Sequence, residues 1–242
     1  EFLIFDEADR MHDMGFIGYI NKIIERLPTQ RQNLLFSATL SREVRLLAKT
    51  TIDNPVEISI ASEKVSAPQI SQWLITVDKD NKSALLSHLI KNYQWAQALI
   101  FIRTKHGAAK LVSQLEKRDI KAESIHSGRS QAVRTQILAD FKSRKIRILV
   151  ATGIASRGLD IDELTRVVNY DLPDDADDYI HRIGRTGRAG ASGEAVSLVS
   201  RDDFKRLCAI ERRQSKVIER KEIEGFSVRK QVPASDLHYV QK

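Results

Sequence analysis

Phe2-Leu3-Ile4-Phe5-Asp6-Glu7-Ala8-Asp9 decides how this chain folds. Four apolar residues in a row are too short and too uniform for an amphipathic helix, so they predict a buried strand. Three carboxylates follow at the carboxyl end of that strand, which is where open α/β sheets bind ligands. The counterpart lies near the other end of the chain, in His181-Arg182-Ile183-Gly184-Arg185-Thr186-Gly187-Arg188. There, arginines and a histidine stand among glycines, and Gly184 and Gly187 let the backbone turn tightly and approach another surface. Carboxylates that can hold a divalent cation, with arginines that can neutralise phosphate charge, are what hydrolysis of a nucleoside triphosphate needs.

Outward from the acidic cluster, Ile17, Ile20, Ile23, Ile24 and Leu27 recur at helical spacing, and Pro28 stops that helix. Residues 33–36 form a second short apolar strand, followed by Ser37-Ala38-Thr39. Ser41 can cap a helix carrying Val44, Leu47 and Ala48, and residues 56–60 read as another strand. From 61 to 68 Ala, Ser, Glu, Lys and Pro replace the periodic pattern, and a linker is placed at 62–69. Beyond it, strands at 74–77, 98–102, 123–126, 146–150, 167–170 and 195–199 alternate with helices at 82–93, 106–118, 131–142 and from Asp177. A basic helix at 202–216 ends the pattern. Such alternation predicts an α/β fold of parallel sheets flanked by helices on both faces. From 216 to 242 the charges mix without periodicity, which predicts an irregular, mobile tail. Trp73 and Trp95 are assigned to packing. His88, His106 and His238 lack metal-ligand spacing and are assigned to the surface or to packing.

At 242 residues the chain has room for one large domain or two modest ones. An apolar share of 42% and a charged share of 29% are ordinary for a globular protein. The net charge of +7 suits a polyanionic partner, and equally a basic protein with no such partner. Cys208 is the only cysteine, which excludes an internal disulfide and a cysteine-built zinc site and fits a reducing compartment. No apolar run is long enough to span a bilayer, so no membrane partner is expected.

The two opening motifs, in this order, resemble the DEAD-box family of ATP-dependent RNA helicases. Arg10-Met11-His12-Asp13-Met14-Gly15-Phe16 extends the match, with His12 where the family typically has Leu. The resemblance covers nearly the whole chain except the tail. It implies RecA-like domains that bind ATP and RNA in the cleft between them, with ATP and Mg2+ as cofactors and RNA as a largely sequence-independent partner. Asp6 and Glu7 would hold Mg2+, and Glu7 would orient and deprotonate the attacking water. Ser37 and Thr39 would bond Asp9, also at the nucleotide, and couple hydrolysis to unwinding. Arg185 and Arg188 would reach the γ-phosphate as arginine fingers, and His181 would connect to the acidic cluster, while Arg182 is read as structural. In Ala151-Thr152-Gly153-Ile154-Ala155-Ser156-Arg157-Gly158-Leu159-Asp160-Ile161, Thr152 and Gly153 would contact the RNA backbone. Gly158 and Asp160 would meet the nucleotide, Asp160 at the ribose, and Arg157 would sit near the acidic cluster on closure. Many members have Asp where Gly153 stands. Phe101-Ile102-Arg103-Thr104-Lys105 is similar to the family's fourth motif, and Gln131-x-x-Arg134 to its glutamine–arginine signature. Arg103, Thr104, Gln131 and Arg134 would then grip RNA phosphates or riboses, although solvated helix starts would have the same sequence. His126-Ser127-Gly128 replaces the family's His-Gly, so the glycine is displaced by one position.

A nucleotide site of this type needs a phosphate loop, Gly-x-x-x-x-Gly-Lys-Ser/Thr, yet no glycine here is followed by lysine. That loop and the glutamine motif that reads adenine are expected before Glu1, in a longer protein. Residues 1–61 are therefore taken as the C-terminal part of a first RecA-like domain and 62–69 as the linker. Residues 70–215 are taken as a complete second RecA-like domain, and 216–242 as a basic C-terminal tail. Arg103-Thr104-Lys105-His106-Gly107-Ala108 is similar to bacterial RhlE-type members, which implies a cytoplasmic protein of ribosome assembly or RNA turnover, with proteins of those processes as partners. Two rivals stay open. One is a non-catalytic RNA-binding module, since the chain alone lacks the phosphate loop and is expected to be inactive. The other is a DNA translocase of the wider superfamily, against which the two opening motifs argue.

Overall fold

The structure is a computed structural model and describes residues 1–13, 16–37, 40, 42–59, 70–153, 164–187, 192–235 and 237. The chain divides into two units, Glu1–Glu63 and Lys64–Lys242. In the first unit, β1 (Phe2–Phe5) pairs in parallel with β2 (Gln32–Leu35). Helices α1 (Ala8–Asp13) and α2 (Ile17–Ile24) connect these strands, and α3 (Arg42–Thr51) follows. Phe5, Ala8, Ile20, Val44 and Leu47 form the unit's core. On α2, Ile20 faces that core and Ile23 faces outward. The side-chain Nδ2 of Asn33 donates to the carbonyl of Thr51 at 2.7 Å, tying β2 to the end of α3.

The strand expected at 56–60 does not form over its described residues, 56–59. Val56 and Ile58 are 85% and 83% exposed. The alternation Val-Glu-Ile-Ser-Ile satisfies the period of a strand, but a strand also needs a neighbour to bond, and β1 and β2 pair only with each other among the described residues. Ser41, Ile60 and the linker at 62–69 lie outside the described residues.

The second unit is built on a seven-stranded sheet in the order β5-β6-β4-β7-β8-β3-β9, with every pairing parallel. In chain order its elements begin β3 (Ile70–Thr76), α4 (Lys82–Asn92), β4 (Ala98–Ile102), α5 (Lys105–Glu116), β5 (Ala122–Ile125) and α6 (Gln131–Lys142). They continue β6 (Ile148–Thr152), β7 (Arg166–Asn169), α7 (Ala176–Ile183), β8 (Gly193–Val199), α8 (Phe204–Gln214) and β9 (Glu219–Lys221). β4 and β6 are buried along their whole length, as strands covered on both faces must be. Period-two alternation divides their side chains between two cores. Ala98, Ile100 and Ile102 meet α4 and α5 on one face, and Leu99 and Phe101 meet α6 on the other. Farther along that second face, α7 and α8 pack Tyr179, Ile183, Leu207 and Ile210 against Leu74, Ala195 and Val199. Trp73 and Trp95 are both buried in the first of these cores. After β6 the chain passes β4 and adds β7 and β8 on its other side, so strand order reverses around β4. Such a switch point is where open sheets of this kind bind ligands.

Among the described residues from 216 to 235, the expected irregular tail is replaced in part by strand pairing and packing. β9 adds to the edge of β3, with Trp73 opposite Glu219 and Ile75 opposite Lys221. Ile218 and Val232 are buried, and Ile223 and Phe226 pack against the core. Arg229 clamps the segment to Asp78 at 2.9 Å and to Asp80 at 3.2 Å, and Arg220 binds the carbonyl of Val232 at 2.9 Å. The sequence conceals this because Glu-Arg-Lys has no apolar period, which is what an exposed edge strand carries. No helix among the described residues is long and apolar enough to cross a membrane.

Candidate functional site

In the first unit the acidic cluster begins where β1 ends. The Glu7 amide donates to Asp6 Oδ1 at 2.9 Å, the Ala8 amide to the Phe36 carbonyl at 3.0 Å, and the Phe36 amide to the Phe5 carbonyl at 2.8 Å. The Asp9 amide donates to Ser37 Oγ at 3.3 Å. The loops that leave the two strands are thus stitched together, with Asp6, Glu7, Asp9 and Ser37 in one place. Glu7 has φ +52°, a left-handed conformation that disfavours an L-residue by about 1–2 kcal/mol. The fully buried Ala8 and its bond to Phe36 hold the turn closed against that strain. Among the described residues no group of three or more His, Cys, Asp or Glu could enclose a metal ion. The exposed Asp6 and half-exposed Glu7 supply hard oxygen donors in the number Mg2+ takes from protein when phosphates and waters complete its shell.

In the second unit α7 carries the basic motif. Asp175 caps the helix by accepting from the Asp177 amide at 3.0 Å, and Asp177 and Asp178 complement its amino end. Arg182 is buried. Its Nε donates to Asp178 at 2.9 Å, its Nη1 to the Asp171 carbonyl at 3.0 Å, and its guanidinium lies 5.0 Å from the centre of the Phe101 ring. It is therefore committed within its own unit. His181 and Arg185 are half-buried and stand one turn apart. Beyond them the Thr186 hydroxyl bonds the Leu164 carbonyl, and Gly187 turns with φ +71°. A Cβ on Gly153 would touch Arg182 at 3.4 Å and Asp178 at 3.5 Å, so Gly153, just past the end of β6, lies against α7. The Thr152 side chain is buried at the end of β6.

The remaining candidates cluster at the carboxyl ends of β4 and β5. Thr104 caps α5 by accepting from the Gly107 amide at 3.0 Å, and Ser130 caps α6. Arg134 donates to Gln131 Oε1 at 3.1 Å. Lys105, His106 and Arg129 lie near His126, whose pKa is lowered first by burial and then by the charges of Arg129 and Lys105. The Gly128 amide donates to His126 Nδ1 at 3.2 Å, which leaves the neutral ring with its proton on Nε2. A Cβ at 128 would sit 3.1 Å from that nitrogen, so the displaced glycine gives the histidine room. Cationic side chains around two helix amino ends make a surface suited to anions. Sequence reasoning met His126 only as part of a displaced His-Gly pattern and gave Arg129 no part there, because their proximity to Lys105 depends on the sheet.

Arg103 belongs to a network at the same edge. The Lys82 ammonium is buried and donates to Asp203 at 3.1 Å and to the Tyr170 carbonyl at 2.9 Å. Arg103 reaches Asp203 at 3.8 Å and the Leu172 carbonyl at 3.3 Å, and its amide donates to Asp171 at 3.0 Å. Burial pushes the Asp203 carboxyl up. The Lys82 charge, with hydrogen bonds from Ser200 and Lys82, outweighs it and holds the group below its ordinary range. Thr39, Arg157, Gly158, Asp160 and Arg188 lie outside the described residues.

Two family models match this chain. A DEAD/DEAH box helicase model covers residues 1–47, and a helicase conserved C-terminal domain model covers residues 81–190. The DEAD-box ATP-dependent RNA helicase CshA of Geobacillus kaustophilus is 40% identical over 90% of this chain and 47% of its own length. The chain spans about half the length, or less, of the curated relatives it matches. Among solved structures, S. cerevisiae Dbp5 bound to RNA and ADP BeF3 aligns with a TM-score of 0.82 and 31% identity, over 91% of this chain and 59% of that one. The E. coli DEAD-box protein SrmB, bound to regulator of ribonuclease activity A, aligns with a TM-score of 0.65 and 32% identity, over 69% of this chain and 99% of that one. The seven-stranded parallel sheet is accordingly a RecA-like fold. With an acidic strand end in one unit, an arginine-bearing helix end in the other, and the two models in that same order, the chain belongs to the DEAD-box RNA helicase family.

Proposed function

We propose that the full-length protein is an ATP-dependent RNA helicase, in which RNA-stimulated ATP hydrolysis drives local unwinding of a duplex. The observation that carries this reading is the bonding of the acidic turn to Ser37 at the ends of two parallel strands. It gathers a metal-binding carboxylate, a candidate base and a coupling hydroxyl in one place. Asp6 and Glu7 are the groups that would hold Mg2+, and the bound ion supplies neutralisation of phosphate charge. Glu7 orients the attacking water and takes its proton. Arg185 and Arg188, with Asp9, Gly158 and Asp160, are assigned to the nucleotide, and an arginine finger contributes about 10³–10⁵ in rate. His181 is assigned to the catalytic set with Glu7, Arg185 and Arg188, and Ser37, Thr39 and Arg157 are assigned to coupling. Arg103, Thr104, Gln131, Arg134, Thr152 and Gly153 are assigned to RNA, gripped through its backbone and therefore with little sequence preference.

The domain assignment in this reading is a partial first RecA-like domain at 1–61, a linker at 62–69, a second RecA-like domain at 70–215 and a C-terminal segment at 216–242. Because none of the 242 residues forms a phosphate loop, this stretch alone is assigned no turnover. The finer reading is a bacterial, RhlE-like cytoplasmic protein of ribosome assembly or RNA turnover. It rests on Arg103-Thr104-Lys105-His106-Gly107-Ala108.

The test is RNA-stimulated ATP hydrolysis by this chain and by a version extended upstream through a phosphate loop, each with Glu7→Gln beside it. Hydrolysis by the extended form alone, reduced at least about 100-fold by Glu7→Gln, is expected. An extended form that retains RNA but turns over no ATP makes the protein a non-catalytic RNA-binding module instead.

A further inference from the structure

α7 ends where the groups assigned to the triphosphate begin, so whatever fixes its rotation also places them. Tyr179 and Ile183 lie one turn apart on its inner face, and both are buried. Ile183 makes apolar contacts, which are non-directional and tolerate sliding. Tyr179 is fully buried yet carries a hydroxyl, and that hydroxyl donates to Gln72 Oε1 on β3 at 3.2 Å. Burial pushes its pKa up to about 12, so it stays a neutral donor under working conditions.

Beside Tyr179 the sheet presents polar side chains where packing alone would select apolar ones. Ser197 on β8 and Asn169 on β7 are fully buried and directly paired in the sheet register. Ser197 lies close enough to the Tyr179 hydroxyl to influence its ionisation. Asn169 Oδ1 receives Arg182 Nη1 at 3.5 Å, and Arg182 holds Asp178 at 2.9 Å. Gln72, Tyr179, Ser197, Asn169 and Arg182 thus run in a line beneath the helix, across β3, β8 and β7. Asn169 Nδ2 has no hydrogen-bond partner among the described residues, and the nearest polar group to Ser197 Oγ on the helix is the Tyr179 hydroxyl. Buried polar atoms of native proteins take a partner, protein or water. Ser197 is placed to share the Tyr179 oxygen, and Asn169 is tied to the helix through Arg182. A directional seam of this kind permits one rotation of the helix, which an apolar face does not enforce.

We propose that Tyr179 is a positioning residue for the hydrolytic reaction: its hydroxyl, with Gln72, Ser197 and Asn169, locks the rotation of α7 and so sets where His181 and Arg185 stand. This rests on the function proposed above. The test uses the full-length protein with RNA and begins with wild-type turnover. A silent wild type sinks the functional reading and this inference with it, whereas an active wild type beside an unaffected Tyr179→Phe sinks the inference alone.

Tyr179→Phe removes one oxygen and leaves the ring. Its kcat should fall about tenfold, with KM for ATP and RNA held within about twofold, because a small misplacement of a transition-state group costs rate rather than ground-state binding. Gln72→Leu should give the same loss, and the double variant should lose no more than either single one. Leu86→Ala, in the core on the opposite face of the sheet, is the control for stability alone. It should lower the melting temperature and leave kcat of the folded protein unchanged. A Leu86→Ala variant that loses as much kcat as Tyr179→Phe overturns the inference, and so does a fully additive double variant.

Discussion

Replacing Gly193 with alanine should destabilise the second unit by an amount the geometry sets. An added Cβ would stand 2.8 Å from Gly187 Cα, and closer still to the Gly187 nitrogen and the Thr186 hydroxyl. Gly193 cannot retreat. It opens β8, which is paired with β3 from Ile70 opposite Gly193 to Thr76 opposite Val199, and with β7 from Arg166 opposite Glu194. The turn at Gly187 must move instead, and it is held by the Thr186–Leu164 hydrogen bond. Overpacking a core position costs about 1–3 kcal/mol. Losing that buried hydrogen bond adds about 1–2 kcal/mol. With a urea dependence of about 2 kcal/mol per molar, a total of about 3 kcal/mol lowers the unfolding midpoint by about 1.5 M. Thr186→Ala removes one of the three obstructions, so Gly193→Ala should cost less in that background. Equilibrium urea unfolding of the four proteins checks this. A midpoint shift of Gly193→Ala below about 0.3 M, at unchanged slope, would refute the reasoning.

Three further outcomes are expected. Asp203 has a folded pKa below its ordinary value, so its contribution to stability is fully present above the unfolded value of about 3.9 and is lost as pH falls through the folded value. Asp203→Asn should flatten the acid limb of a stability–pH curve, while Lys82→Met, which removes the nearest cation of the buried carboxylate and leaves it Arg103 and Arg206 at 3.8 Å, should cost about 3 kcal/mol at neutral pH in urea unfolding. Thr104→Ala should cost about 1 kcal/mol through loss of the α5 cap, and a change in RNA affinity with no change in stability would reassign that hydroxyl. At position 7, glycine should be more stable than alanine by about 1 kcal/mol, since both lack the side chain and only glycine accepts φ +52° freely. Equal unfolding midpoints for the two would remove the claim of strain there.

The motifs were legible in the sequence because they concentrate unusual chemistry in a few adjacent residues. So were the buried strands, because Ala98–Ile102 and Ile148–Thr152 are apolar without interruption. The failures share one cause, which is that the deciding partner is remote. Residues 56–59 have the alternation of a strand and no neighbour to bond among the described residues, while Glu219–Lys221 has no alternation and finds the open edge of β3. Gly193 looks like any glycine at a strand start until Gly187 is brought against it. Asn169 and Ser197, 28 residues apart, show their polarity as a feature only once β7 and β8 are paired.

The end of α7 is where these remote constraints converge. From below, Tyr179 and Arg182 bond to side chains and carbonyls of the sheet and its loops. From beyond, Thr186 bonds Leu164, and Gly193 admits the Gly187 backbone at a distance no side chain would allow. Either set alone would leave the segment Gly184–Gly187 one free direction, rotation about the helix in one case and swinging of the loop in the other. Together they leave Arg185 on a backbone fixed at both ends. A group that must stabilise charge on a transferring phosphoryl acts through preorganisation, because its effect depends on being in place before charge develops. Under the proposed function that preorganisation comes from Arg182 and Thr186 within the motif and, outside it, from a tyrosine, a serine, an asparagine and a glycine. None of the latter has chemistry of its own to offer the reaction, which is why a reading of motifs alone passes over them.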